Sequence, residues 1–236
     1  MSYSQPPGAP FSHDSIELAD RASRFVLDKW AGSNAAAPKA FEALDLCSGC
    51  GVVGLETERR LHQRLRLGNL LTPGFVRSWT FLEIQEEYRE HFQINLEKLL
   101  SELDSSERER LSAKFVRENF KEVLRDEAMG FRSRFDLILS NPPYFEASQG
   151  RLPPNKVKAH SRFFLDAGFE DFVRVVDFCL KPETGEAIFL LRDLVDHGID
   201  RAGALTALSK ELGFCWEQLE PIRGTGLVHL WKTELG

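Results

Sequence analysis

Cysteine is scarce in this chain. Of 236 residues four are cysteine, and Cys47, Cys50, Cys179 and Cys215 contain one close pair, so no disulfide framework is implied. Cys47 and Cys50 form a Cys-x-x-Cys with no second pair to complete a zinc site. No metal is therefore expected. No apolar run approaches the ~20 residues of a membrane span, and the polar start Met1-Ser2-Tyr3-Ser4-Gln5 lacks the charged and apolar regions of a signal peptide. Positive charge is not in excess: 30 Lys and Arg against 36 Asp and Glu give a formal net charge of −6. That excludes a chain that coats nucleic acid through overall charge and leaves room only for a local basic patch. Internal repeats, low-complexity blocks, a Walker loop and a Ser-His-Asp order are all missing. A soluble, cytoplasmic, monomeric protein is the expectation.

What is present suits one α/β domain, with 42% hydrophobic residues for the core. Residues 1–10, rich in Pro, Gly and Ser, are expected to be flexible, leaving residues 11–236 as the domain. Asp14 or Ser12 can cap a lead-in helix through about Trp30, because Ile16, Leu18, Ala19, Ala22, Phe25 and Val26 recur at helical spacing. Strands are predicted at 43–46, 79–83, 114–117, 135–139, 186–191, 214–220 and 227–232. Helices are predicted at 52–65, 88–100, 121–127, 163–180 and 200–212, with loops at 68–78 and 146–161. Strand and helix alternate, which gives the α/β class.

Two junctions carry the chemistry. The apolar run Phe135-Asp136-Leu137-Ile138-Leu139 stops in Asn141-Pro142-Pro143-Tyr144-Phe145, where the prolines fix φ and supply no N–H. A stiff turn there sets the Asn141 amide, free carbonyls and an aromatic ring at the carboxyl end of the sheet, where open α/β folds bind ligands. The bland alternative is a strand that simply ends. The other junction is Asp45-Leu46-Cys47-Ser48-Gly49-Cys50-Gly51, between the first strand and its helix, where glycine lets a ligand approach the backbone. Glu83 ends the next strand, the place of an acid that grips a ribose.

Taken together these residues resemble the class I S-adenosylmethionine-dependent methyltransferases. The resemblance implies a Rossmann-like, seven-stranded, mostly parallel sheet with helices on both faces and a reversed last strand, plus an N-terminal helix over the cofactor. It assigns Asp45, Gly49, Gly51, Glu83 and Asn141 to the S-adenosylmethionine site, although Cys47 stands where the family usually has glycine. Asn119 occupies the position of an acid near the cofactor adenine, and Phe120 that of a ring covering it; helix capping by Asn119 is the competing reading.

Asn-Pro-Pro-Tyr resembles the motif of amino-methylating enzymes. The lone pair of their target nitrogen is delocalised, so accepting both N–H hydrogens on the Asn141 side chain and the Pro142 carbonyl returns density to nitrogen and aims it. Tyr144 would stack on a planar substrate, with Phe145 assisting or packing. The lead-in Phe11-Ser12-His13-Asp14-Ser15 and the run Asn-Pro-Pro-Tyr-Phe resemble bacterial tRNA(Val) adenine-N6 methyltransferases, whose Asp-Ser pair approaches the methionine end of the cofactor; Asp14 and Ser15 match it, and plain capping competes. The implied reaction is methylation of adenine N6 in tRNA. Arg151, Lys156 and Lys158, with His160 and Arg162, would meet RNA phosphates or form a solvated loop. Rival readings are a protein glutamine methyltransferase, a DNA adenine methyltransferase and a non-catalytic cofactor-binding scaffold.

Overall fold

The computed structural model describes residues 2–7, 11–32, 39–68, 75–125, 129–192, 195–196 and 199–232. Seven strands form one sheet: β1 (Ala40–Leu46), β2 (Val76–Glu83), β3 (Leu111–Arg117), β4 (Leu137–Ser140), β5 (Glu186–Leu191), β6 (Phe214–Ile222) and β7 (Thr225–Lys232). Their spatial order is β6-β7-β5-β4-β1-β2-β3. Every pairing is parallel except those of β7, which runs against both β5 and β6. β6 and β7 are joined across Arg223 and Gly224, both at positive φ (50° and 86°), the two-residue turn whose twist suits a hairpin.

All four residues of β4 are buried, as a continuous aliphatic run must be when helices cover both faces. On one face α1 (His13–Gly32), α2 (Val52–Leu67) and α3 (Arg89–Glu102) enclose a core that includes Leu18, Leu55, Phe81 and Phe92. On the other, α4 (Phe169–Cys179), α5 (Arg201–Leu212) and the 3₁₀ turn Phe120–Leu124 pack around Phe172, Val176, Leu205 and Phe189. Among the described residues no helix is long and apolar enough to cross a membrane.

Register decides where function can sit. Leu46 pairs with Leu82 and with Ser140, so the chain leaves β1, β2 and β4 side by side at one edge. Cys47, Glu83 and Asn141 follow those residues and converge there.

Several expectations change. Residues 2–7 are held down: Tyr3 is buried, its hydroxyl donates to Glu56 Oε2 (2.7 Å), and the Ser4 N–H donates to Asn95 Oδ1 (2.6 Å). β2 begins at Val76 and β3 at Leu111, earlier than periodicity alone predicts, because Arg77 pairs in register with Leu111; residues 69–74 of the expected loop lie outside the described residues. Helix 121–127 is replaced by the 3₁₀ turn Phe120–Leu124, with 126–128 outside the described residues. The expected loop 146–161 contains a helix, Lys156–His160, capped by Asn155. Phe163 and Phe164 are not helical but form a short parallel pair with Phe145 and Glu146, so α4 starts only after Gly168.

Candidate active site

Between β1 and α2 the chain must reverse within a few residues, and Cys47, Gly49 and Gly51 all adopt left-handed backbone (φ 59°, 53° and 78°). Glycine takes that conformation without steric cost, which explains why glycine is usual where this chain has Cys47. The thiols of Cys47 and Cys50 belong to the cores on opposite faces of the sheet, so they do not form a pair. Among the described residues no group of three or more His, Cys, Asp or Glu could hold a metal ion.

The loop is tied to β2 by Glu83. This buried carboxylate accepts from the Gly49 N–H through Oε2 (2.8 Å) and from the Gln85 N–H through Oε1 (2.9 Å). Burial raises its pKa against the pull of those donors. Gly49 and Glu83 line a cleft of about 420 Å³, together with Ser48, whose buried hydroxyl oxygen has no partner among the described residues. Gly51 and Asp45 do not line it. A Cβ on Gly51 would lie 2.7 Å from the Phe92 ring, so that glycine serves helix packing. Asp45 is fully buried and accepts from the Gly54 N–H (2.8 Å), holding the start of α2; burial and then the Glu83 charge drive its pKa well up.

At the end of β3, Asn119 lines the cleft and also accepts from the Lys121 N–H (3.0 Å), so its cap and its cleft position coexist. Phe120 lines the same wall, edge-on to Phe164 and Phe172.

The turn after β4 is over-determined. Asn141 Nδ2 donates to Ser15 Oγ in α1 (2.9 Å), and the Tyr144 hydroxyl donates to Asn141 Oδ1 (2.6 Å). Burial, then the Asp14 charge, pushes the Tyr144 hydroxyl up to about 12, which keeps it a donor. The N–H groups of Tyr144 and Phe145 both donate to the Arg162 carbonyl (3.0 Å each). Pro142 and Pro143 line the cleft, and no donor among the described residues reaches the Pro142 carbonyl. Ser15 and Tyr144 line the cleft, whereas Asp14 turns away to accept from Thr225 Oγ1 (3.2 Å). Phe145 lies outside the lining and packs on Phe163.

Residues 156–164 roof the opening. Ser161 Oγ meets the Tyr88 hydroxyl (2.9 Å) and accepts from Gln85 Nε2 (3.3 Å), bridging to the end of β2. Lys158, His160, Arg162 and Arg192 line the cleft, while the exposed Arg151 and Lys156 do not. Tyr88, Gln85, Ser161 and Arg192 are cleft residues that sequence reasoning missed. Tyr88 was legible only as an apolar position of a helix, and nothing in a polar loop singles out Ser161.

No protein-family model and no curated protein matches the chain in sequence. Solved structures do match in shape. The hMettl16 catalytic domain in complex with MAT2A 3′UTR hairpin 1 superposes with a TM-score of 0.57 at 14% identity, over 98% of this chain and 74% of that one. The ribosomal protein L11 methylase of Lactobacillus delbrueckii subsp. bulgaricus gives 0.53 at 15%, over 98% and 84%. TYW2 of P. horikoshii in complex with MeSAdo gives 0.53 at 13%, over 94% and 63%. The fold is that of the class I S-adenosylmethionine-dependent methyltransferases. Within a methyltransferase fold the edge where β1, β2 and β4 end is the ligand-binding edge of an open α/β sheet, and it is here that the cleft lies.

Proposed function

We propose that this chain transfers the methyl group of S-adenosylmethionine to an exocyclic amine, adenine N6 in RNA and above all in tRNA. The observation that carries this reading is the turn at Asn141–Tyr144. Its amide is oriented by Ser15, so Oδ1 faces Tyr144 with one lone pair still to offer, and the Pro142 carbonyl has no donor among the described residues. Two acceptors beside one aromatic ring match the two N–H hydrogens of a planar amine.

The cleft residues fit the cofactor. The Glu83 oxygens each keep a lone pair for ribose hydroxyls, Ser48 offers a hydroxyl with no partner among the described residues, and Gly49 presents its backbone to the cleft without a Cβ. Phe120 and Asn119 stand where an adenine would lie. Bound there, S-adenosylmethionine would supply an electrophilic methyl group. The chain's own part is to desolvate the amine, accept hydrogen bonds from its two N–H groups and thereby direct the nitrogen lone pair; the methylated nitrogen is cationic and acidic and gives its extra proton to water, so catalysis by positioning and fixed dipoles needs no strong base.

RNA is favoured over a protein amide by Lys158, His160, Arg162 and Arg192 around one cleft of an otherwise acidic chain, which suits phosphates flanking an extruded base. The hMettl16 neighbour is bound to an RNA hairpin. The tRNA assignment rests on the Asn-Pro-Pro-Tyr-Phe run and the Asp14–Ser15 lead-in. Incubation with methyl-labelled S-adenosylmethionine and unmodified small RNA, followed by nucleoside mass spectrometry, tests it. Labelled N6-methyladenosine is the expected product; label confined to added protein would replace this reading with glutamine methylation.

A further inference from the structure

We infer that Arg201, the first residue of α5, is a positioning residue for the Asn141–Tyr144 turn. It holds the turn's exit from the far side of the sheet edge, and this inference rests on the function proposed above.

Arg201 is 2% exposed. Its Nη2 donates to the Tyr144 carbonyl (2.7 Å), its Nη1 donates to the Arg192 carbonyl just after β5 (3.4 Å), and the group lies 5.8 Å from the Phe169 ring centroid. Two features of this placement work against the fold. A buried guanidinium loses its hydration, and a cation at a helix N-terminus faces the positive end of the helix dipole. Asp200 offsets the second by capping the helix, accepting from the Gly203 N–H (2.7 Å), and so fixes where Arg201 emerges.

With Arg201 in place every polar group of Tyr144 is engaged. Its N–H goes to the Arg162 carbonyl, its C=O to Arg201 and its hydroxyl to Asn141. The prolines have no N–H to contribute, so the turn has few backbone bonds of its own and relies on these distant anchors. Loss of the Arg201 bond leaves the Tyr144–Phe145 peptide held from one side alone, by the Phe145 N–H on the Arg162 carbonyl, and lets it tilt about that anchor. The hydroxyl that orients Asn141 Oδ1 moves with it.

Arg201→Lys retains the charge but not the planar fork that spans two carbonyls. Single-turnover rates on RNA, S-adenosylmethionine affinity and the side-chain amide cross-peaks of Asn141 in ¹⁵N-asparagine-labelled protein are read together. The expected result is a fall in rate of about 10²-fold, the scale of a small misplacement at a reacting centre, with cofactor affinity unchanged and the Asn141 cross-peaks displaced. Wild-type rate, or a loss of rate with the cross-peaks unmoved, overturns the inference. If the wild-type protein methylates neither RNA nor protein, the proposed function falls and the cross-peaks alone judge Arg201: displaced supports it, unmoved overturns it. Should Arg201→Lys not fold, Arg201→Gln, neutral and still a donor, is read by the same criteria.

Discussion

On the Gly49 side of the cleft the deciding hydrogen bond joins Gly49 to Glu83, 34 residues apart; on the Asn141 side the bonds join Ser15 to Asn141 across 126 residues and Tyr144 to Arg201 across 57. The first side is closed within one β-α-β unit, where a glycine loop and the acid at the end of the next strand hold each other. The second is assembled by the fold, because a Pro-Pro turn cannot satisfy itself and borrows partners from α1, α5 and the Arg162 segment. On the proposed function the difference separates binding from chemistry. Changes on the Gly49 side should alter what the cleft holds, and changes on the Asn141 side how fast it reacts.

The sharpest way to break that contrast is Glu83→Ala. It removes the acceptor for the Gly49 N–H and, on the proposed function, for a ribose, and charge-assisted bonds of about 1.5–3 kcal/mol translate into an expected loss of S-adenosylmethionine affinity of about 10- to 100-fold by calorimetry. Unchanged affinity would take Glu83 out of the cofactor site. Next comes Gly51→Ala, which sets a methyl group against Phe92 at positive φ without touching the cleft. A stability loss of about 1–3 kcal/mol in urea melts, with the rate per folded molecule preserved, is expected; loss of rate would put Gly51 in the site after all.

A smaller effect is expected from the double variant Lys158→Glu with Arg162→Glu. Apparent RNA KM should rise and the salt slope of binding should fall by about 1 to 2, while cofactor affinity stays constant; an unaltered slope would remove this rim from the RNA path. Smallest is a pH effect remote from the cleft. His229 is partly desolvated, which lowers its pKa, but bonds to Glu186 and Glu217 (2.9 Å each) outweigh that and raise it above 6.5. The stabilisation is complete below pH 6.5 and is lost as pH rises through the folded value. The melting temperature should therefore drift down across that window in wild type and drift less in His229→Gln.

The sheet and the Gly49 side were legible because their signals are local: apolar runs, a glycine-bearing junction, an acid after a strand, prolines that stop β4. Cys47 in a glycine position is explained only by its φ, which no residue type announces. Asp45 and Gly51 carried the expected motif yet face the interior, since a motif fixes residue identity and not which way the side chain points once Gly54 and Phe92 pack against it. The cationic rim was read in part: Lys158 reaches the cleft from within the helix Lys156–His160, whereas Arg151 lies ahead of that helix and Lys156 opens it, both exposed and outside the lining. Arg201 and Ser161 were invisible, for their partners are distant and their local sequence is unremarked.

On the proposed function Asn141, at the cofactor site, aims the amine, and its loss should spare cofactor affinity. The most direct test is the single-turnover rate of Asn141→Ala beside wild type on the same RNA, with S-adenosylmethionine affinity measured on both proteins. A fall of about 10²- to 10³-fold in rate, the scale of one preorganised polar contact at a reacting centre, with unchanged cofactor affinity is predicted. Wild-type rate in the variant, or a loss traced wholly to weaker cofactor binding, would contradict the account.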